Sequence, residues 1–149
     1  MFTLKRILNW LLLRDSIEAR ASIPSAKPLT TRRKIGNSGE DHAATLLKKR
    51  GDSLVARNWS CKSGELDLVS WNENTLVFTE VRTRSSSEFG TPLESVNTVK
   101  QERLRRAALA FLSQRFPHGK LPSCRYDVVW IVTKDGSILD SGIIVSAFI

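Results

Sequence analysis

Two short segments place acidic side chains within apolar sequence, where a strand would normally bury aliphatic groups. The first, Gly64–Leu68, contains Asp67, and the second, Val77–Arg82, contains Glu80. Both segments have the apolar character of buried strands. Arg82 lies two residues beyond Glu80, so strand alternation places it on the same face, roughly 7 Å along the strand. Two carboxylates and a cation on one patch of sheet form an arrangement that a divalent metal and a phosphate would use.

The residues between the segments decide whether the two acids meet. Residues 72–74 read Asn-Glu-Asn, which suits a tight hairpin turn. A two-residue loop at 73–74 would place Asp67 directly opposite Glu80, with Cβ atoms roughly 4.5–5.5 Å apart. A three-residue loop would make the two acids diagonal neighbours instead. Two like charges this close destabilise a half-buried sheet unless a positive group lies between them.

The surrounding pattern predicts the element order α-β-β-β-α-β-β. A helix is predicted to begin at Ser38, with Asp41 at capping-box spacing, and to end at Gly51. A second helix is predicted over 98–115, with Thr98 and Gln101 as its capping box. Its predicted buried stripe consists of Val99, Leu104, Ala108, Phe111 and Leu112. Strands are predicted at 53–59, 65–71, 75–84, 126–133 and 138–148. We therefore expect an α/β protein with a mixed β-sheet flanked by helices.

Charge and composition divide the chain at residue 36. The net charge is +8, and residues 1–34 hold eight Lys and Arg against two acids. We predict that residues 1–36 form an N-terminal amphipathic helix and a basic linker, and that 37–149 form one domain. The N-terminal helix would dock a protein or a membrane surface. No apolar run approaches spanning length, so no transmembrane segment is expected. The lone Cys61 and Cys124 fit a reducing cytoplasm.

These motifs, in this order, resemble the YraN-like family of bacteria and, more distantly, the PD-(D/E)xK nuclease superfamily. The matching segments are Gly39-Glu40, Gly64–Leu68, Phe78–Ser87, Phe89-Gly90, Lys100-Gln101 and Tyr126–Val129. The resemblance implies a restriction-endonuclease-like fold related to the Holliday-junction resolvases. It also implies Asp67 and Glu80 as ligands of Mg²⁺ or Mn²⁺, both of which prefer hard oxygen donors. A salt-bridge cluster with Arg82 and no metal is the alternative.

Glu40 and Arg82 complete the set of candidate catalytic residues that the resemblance implies, together with Asp67 and Glu80. Glu40 is either a third acid of the site or a first-turn acid favoured by the helix dipole. Arg82 stands where lysine is usual in such nucleases. Because arginine stays protonated, it can orient water and neutralise charge but cannot act as a general base.

The candidate nucleic-acid contacts lie on the second helix and after the third strand. They are Arg84, Ser85, Lys100, Arg103 and Arg106. Such groups bind phosphates, although a solvated helix face is the alternative for the three residues of the helix. Asp127, in an aliphatic strand, is predicted to pair with a nearby arginine.

We therefore expect a cytoplasmic DNA-binding, nuclease-like protein, a structure-specific endonuclease that hydrolyses phosphodiester bonds. Its DNA would be structured or bound without sequence preference, and a homodimer is left open. The alternatives are a non-catalytic nucleic-acid-binding module, which Arg82 favours, and a protein-interaction domain that docks through the N-terminal helix.

Overall fold

A computed structural model describes residues 31–86 and 96–148, with side chains from Ser38 onward. Its elements are α1 (Thr31–Arg50), β1 (Ser53–Cys61), β2 (Gly64–Asn72), β3 (Thr75–Ser85), α2 (Thr98–Arg115), β4 (Ser123–Lys134) and β5 (Ser137–Phe148). The predicted N-terminal amphipathic helix, and most of the loop that follows β3, lie outside the described residues. Of the described helices, none combines the length and the apolar character that a membrane crossing requires.

The five strands form one mixed sheet in the order β1-β2-β3-β4-β5. Only β3 and β4 run parallel, and α2 is the crossover between them; the other neighbours pair antiparallel. The predicted α/β class with a mixed sheet and flanking helices is confirmed. Because β3 is the central strand, the side chains in the middle of its length are buried from both sides.

The first helix is longer than its sequence pattern indicates. It begins at Thr31, seven residues before the predicted start at Ser38. Ser38 and Asp41 therefore lie inside the helix and not at its cap. The predicted end at Gly51 is correct: Gly51 has a φ of 99°, and its N–H donates to the Lys48 carbonyl at 3.0 Å. This left-handed glycine closes the helix in the manner of a Schellman motif.

The second helix has the predicted bounds, but two of its details differ. Its N-cap is Asn97 and not Thr98, because the Asn97 side chain accepts the Lys100 N–H at 3.0 Å. Val99 is 59% exposed and does not belong to the buried stripe. Ala107 takes part in the stripe instead, because its position faces the sheet.

Each helix covers one face of the sheet and builds its own core. The α2 core packs that helix on Val69, Phe78 and Val128, with Trp59 and Tyr126 at its margin. The α1 core is smaller, and its buried members are Ala43, Ala44, Leu47, Leu68, Val129 and Ile131. Neighbouring strand residues such as Val128 and Val129 thus point to opposite faces. Burying one such aliphatic side chain contributes about 1.5–3 kcal/mol.

Candidate functional site

The β2–β3 hairpin has the register that a two-residue loop predicts. The ladder runs from the pair at 72 and 75 to the pair at 68 and 79. Glu73 adopts a positive φ of 53°, as the first central residue of tight hairpin turns does. The next residues along the two strands are Asp67 and Glu80, hereafter the acid pair. Glu80 faces α2, since its Oε1 lies 3.2 Å from Lys100 Nζ.

Asp67 is held by the backbone of the neighbouring strand. Its Oδ2 accepts the Val81 N–H at 2.8 Å, at the point where the regular ladder between β2 and β3 ends. Burial raises the pKa of Asp67, and the negative charge of Glu65 acts in the same direction. The Val81 N–H and the charge of Lys100 oppose that rise without cancelling it. Asp67 is thus a fixed carboxylate in a site that disfavours its charge.

Glu80 is the most deeply buried acid of the site, with 3% of its surface exposed. Its Oε1 lies 3.2 Å from Lys100 Nζ and 3.7 Å from Arg82 Nη1. Its Oε2 is buried and accepts no hydrogen bond from the described part of the chain. Burial, followed by the charge of Asp67, raises the pKa of Glu80 to about 7. One oxygen of this carboxylate is therefore left to bind something else.

Glu40 approaches the acid pair from α1. Asn58 Nδ2 donates to Glu40 Oε2 at 2.7 Å. Burial raises the pKa of Glu40, the Asn58 hydrogen bond lowers it, and the charge of Asp67 raises it again. Because α1 begins at Thr31, Glu40 is not in the first turn, and that alternative is wrong. Across residues 31–86 and 96–148, no three His, Cys, Asp or Glu side chains lie close enough to share one metal ion.

The predicted nucleic-acid contacts are distributed unevenly around the acid pair. Lys100 lies inside the site, against Glu80. Arg84 and Ser85 are half-buried near the end of β3, where they pair with Val132 and Thr133 of β4. Strand alternation places Arg84 on the same face as Arg82 and Ser85 on the other face. Arg106 is exposed on α2, and its Nε donates to the Glu102 carbonyl at 3.4 Å. The structure thus brings only some of these residues to the acids.

A cleft of about 400 Å³ lies between the β1–β2 turn and α2, and Lys100, which contacts Glu80, is part of its lining. We call it the turn cleft; its lining residues include Lys62, Ser63, Lys100 and Arg103. The turn approaches the helix closely, since a Cβ on Gly64 would lie 3.3 Å from the Arg103 carbonyl oxygen. Sequence reasoning missed Lys62. The available signal was a lysine in the short turn between two strands.

A second set of buried charges lies on the other face of the sheet, at the end of α1. This α1-side cluster consists of Arg50, Asp52, Arg125 and Asp127, and sequence reasoning anticipated only that Asp127 pairs with an arginine. Arg50 donates to Asp52 at 2.7 and 2.8 Å and to Asp127 at 2.7 Å. Arg125 Nε donates to Asp127 at 3.1 Å. The predicted pairing of Asp127 is confirmed.

The α1-side cluster satisfies its carboxylates, unlike the acid pair. Asp52 also accepts from Ser70 Oγ at 2.7 Å and from Asn72 Nδ2 at 2.9 Å. Burial alone would raise the pKa of Asp52, but hydrogen bonds from Arg50 and Ser70 outweigh it and lower the pKa. The cluster fastens the end of α1 to the sheet and offers no open oxygen.

Comparison with known proteins identifies relatives across this region. Residues 39–131, which include the acid pair and Lys100, match the model of the "Uncharacterised protein family UPF0102". A UPF0102 protein of Moorella thermoacetica is 50% identical over 99 residues, covering 66% of this chain and 81% of the relative. One of Desulforamulus reducens is 43% identical over 109 residues, covering 72% and 88%. One of Caldicellulosiruptor saccharolyticus is 40% identical over 120 residues, covering 78% and 98%.

These matches confirm the resemblance to the YraN-like family that the sequence motifs indicate. The chain belongs to the uncharacterised protein family UPF0102.

Proposed function

We propose that this protein is a divalent-metal-dependent nuclease that hydrolyses phosphodiester bonds in DNA. The observation that carries the proposal is Glu80 Oε2, a buried carboxylate oxygen with no hydrogen bond from the described residues. It lies next to a second, half-buried acid, Asp67, whose charge raises the pKa of Glu80. Keeping two such acids together lowers the stability of the fold. A ligand that binds their oxygens would explain why both acids are present.

The donor set fits Mg²⁺ or Mn²⁺. Both ions prefer oxygen ligands, and Mg²⁺ is commonly held by one or two carboxylates together with water and substrate phosphate. Asp67 and Glu80 would hold the ion, and no third acid among the described residues is close enough to complete a cage. A two-carboxylate site leaves coordination positions for a phosphate, which a nuclease needs. Glu40, fixed by Asn58, would act on the site through its charge.

The cations of the site have roles that follow from their chemistry. When bound, the metal ion would act as a Lewis acid on the phosphate oxygens. Arg82 stays protonated, so it would donate hydrogen bonds to the phosphate and not accept a proton. Lys100 already faces Glu80 Oε1 at 3.2 Å and would place a second positive charge beside the same phosphate. None of these residues reads a base, so the expected DNA is structured or bound without sequence preference.

Calorimetric titration with Mn²⁺ tests the metal site directly. We expect binding to the wild type and its loss in Glu80→Gln and in Asp67→Asn, since each variant removes one charged ligand at similar volume. Glu73→Gln is the matched control, because it removes the same charge from the exposed turn of the same hairpin. Equal Mn²⁺ binding by the wild type and Glu80→Gln would exclude the acid pair as the metal site.

A cleavage screen tests the activity. The substrates are duplex, flap, fork and four-way-junction DNA, each with Mg²⁺ and with Mn²⁺. We expect the wild type to cut at least one of them and Glu80→Gln to cut none. Cleavage that is equal in both preparations would indicate a contaminating nuclease.

Arg82 in the lysine position favours a second candidate function, a nucleic-acid-binding module without turnover. Binding of DNA by the wild type with no cleavage of any substrate would favour that candidate.

A further inference from the structure

The turn cleft has the charge and size of a binding site for an extended anion. Lys62, Lys100 and Arg103 line it against a single carboxylate, Glu65. Its volume of about 400 Å³ is within the usual range for ligand sites. The hydroxyl of Ser63 and the other polar groups of the turn add donors for phosphate oxygens. The positive side chains come from two separate elements, a hairpin turn and a helix, so an anion in the cleft would contact both.

Lys100 joins the turn cleft to the acid pair. It lines the cleft, and its Nζ also lies 3.2 Å from Glu80 Oε1. A ligand phosphate next to Lys100 would therefore border the candidate metal site. Because the acid pair is the proposed site of phosphodiester hydrolysis, the anion that Lys100 would bring to it is a phosphodiester and not a carboxylate. This combination favours a chain of phosphodiesters over an acidic peptide.

We propose that the turn cleft binds the phosphodiester backbone of a nucleic-acid strand and directs it past Lys100 to the acid pair. The identity of the ligand and the direction of the strand rest on the proposed nuclease function, whereas the positive charge of the cleft does not. The backbone is the shared chemistry of a single strand and of one strand of a duplex. The experiments below use both forms, and all of them are done in EDTA so that neither metal nor cleavage contributes.

Two cysteines provide a reporter and its internal control. Cys61 is half-buried and lines the turn cleft, whereas Cys124 lies near the start of β4 and does not line it. Single-thiol variants, Cys124→Ser and Cys61→Ser, are labelled with a maleimide. The ligands are oligothymidylate of about twelve nucleotides and a duplex of similar length. Because burial raises the pKa of the Cys124 thiol, each thiol is compared only with itself, with and without ligand.

We expect at least one nucleic-acid form to protect Cys61 and leave Cys124 unchanged. At ten times Kd, labelling of Cys61 should slow about tenfold, because only unoccupied protein reacts. Whether the single strand, the duplex or both protect Cys61 shows which form of nucleic acid the turn cleft binds. Equal labelling of Cys61 with and without either form would overturn the proposal. Equal protection by polyglutamate at the same charge concentration would also overturn it, since the cleft would then not distinguish phosphodiesters.

Paired charge variants give a second, independent test. Lys62→Gln with Arg103→Gln removes two positive charges from the turn cleft. Lys48→Gln with Lys49→Gln removes two exposed positive charges from the last turn of α1, which covers the opposite face of the sheet. The cleft variant should make the slope of log affinity against log salt shallower by about 1.4 for a single strand. The α1 variant should keep the wild-type slope. An equal change of slope in both variants would mean non-specific electrostatic attraction and would refute binding in the turn cleft.

The failure of this proposal is distinguishable from the failure of the nuclease proposal. If Glu80→Gln loses Mn²⁺ binding and cleavage while Cys61 stays unprotected, the nuclease proposal is supported and the cleft proposal is refuted. If nucleic acid protects Cys61 in a protein that binds no Mn²⁺, the cleft proposal is supported and the nuclease proposal is refuted.

Discussion

Replacing Glu80 by glutamine should change how the free energy of unfolding depends on pH. Glu80 is 3% exposed, and its pKa is raised from an ordinary value of 4.5 to about 7 by burial and by the charge of Asp67. The folded state therefore holds this proton more tightly than the unfolded state does. The resulting stabilisation is fully present below pH 4.5 and is lost as the pH rises through about 7. Glutamine has no proton to lose, so the variant lacks this dependence.

The size of the effect follows from the two pKa values. At about 1.4 kcal/mol per pH unit, the wild type should lose roughly 2–3 kcal/mol from this group between about pH 5 and about pH 8. Glu80→Gln should therefore gain that amount relative to the wild type across the same interval. The substitution keeps a side-chain oxygen at this position, so the ion pair becomes a hydrogen bond from the Lys100 ammonium to a neutral amide.

Urea unfolding in EDTA at several pH values measures this difference. Glu73→Gln, which changes the same charge in the exposed turn, should follow the wild type at every pH. Adding Mn²⁺ at about pH 8 should stabilise the wild type and not Glu80→Gln, because only a ligand of the folded state shifts its stability. Parallel pH profiles for the wild type and Glu80→Gln would refute the conclusion that this carboxylate is strained by its surroundings.

Three further predictions concern other positions. Arg82→Lys should retain substantial cleavage of any DNA that the wild type cuts. The cleavage rate of Arg82→Ala should fall roughly 10²–10³-fold, the usual scale for removing one transition-state donor, and single-turnover rates measure both variants. Gly39→Ala should lose about 1 kcal/mol of unfolding free energy net of the helix-propensity gain, because a Cβ there would lie 2.4 Å from Thr83 Oγ1. Gly119→Ala, where a Cβ meets nothing within 4 Å, is its control. Asp127→Ala should lose about 1–3 kcal/mol in the same unfolding assay, because it removes the buried carboxylate that accepts from Arg50 and Arg125, although Asp52 still pairs with Arg50.

The features that sequence predicted well are those encoded by neighbouring residues. Three polar residues between two apolar runs limit the hairpin to two registers, and the structure has the one with a two-residue loop. The end of α1 at Gly51 follows from a residue type that tolerates a left-handed backbone. The bounds of α2 follow from its apolar period. In each case the residues that give the sequence signal lie within a few positions of the feature that they predict.

The features that sequence missed depend on contacts between distant segments. α1 continues N-terminally past Gly39, a poor helix former, because that glycine lets the helix approach Thr83 of β3. Lys100 was predicted either to contact phosphates or to lie on a solvated helix face, and the crossover from β3 to β4 brings it to Glu80. Asp52 follows a helix end and gave no sign of burial, although Ser70 and Asn72 of β2 both donate to it. No local pattern records which strand a helix will meet.

The buried charges on the two faces of the sheet differ in their hydrogen bonding. A selection experiment could use this difference to identify functional positions. In the α1-side cluster every aspartate oxygen accepts a hydrogen bond, whereas Glu80 Oε2 accepts none from the described residues. In the language of energy landscapes the acid pair is locally frustrated, since stability favours neutral residues there and the proposed metal binding favours acids. A variant library selected only for heat resistance should accumulate neutral side chains at Asp67 and Glu80 while it keeps Asp52 and Asp127 acidic. Such a selection would mark the functional residues of this fold before any substrate is in hand.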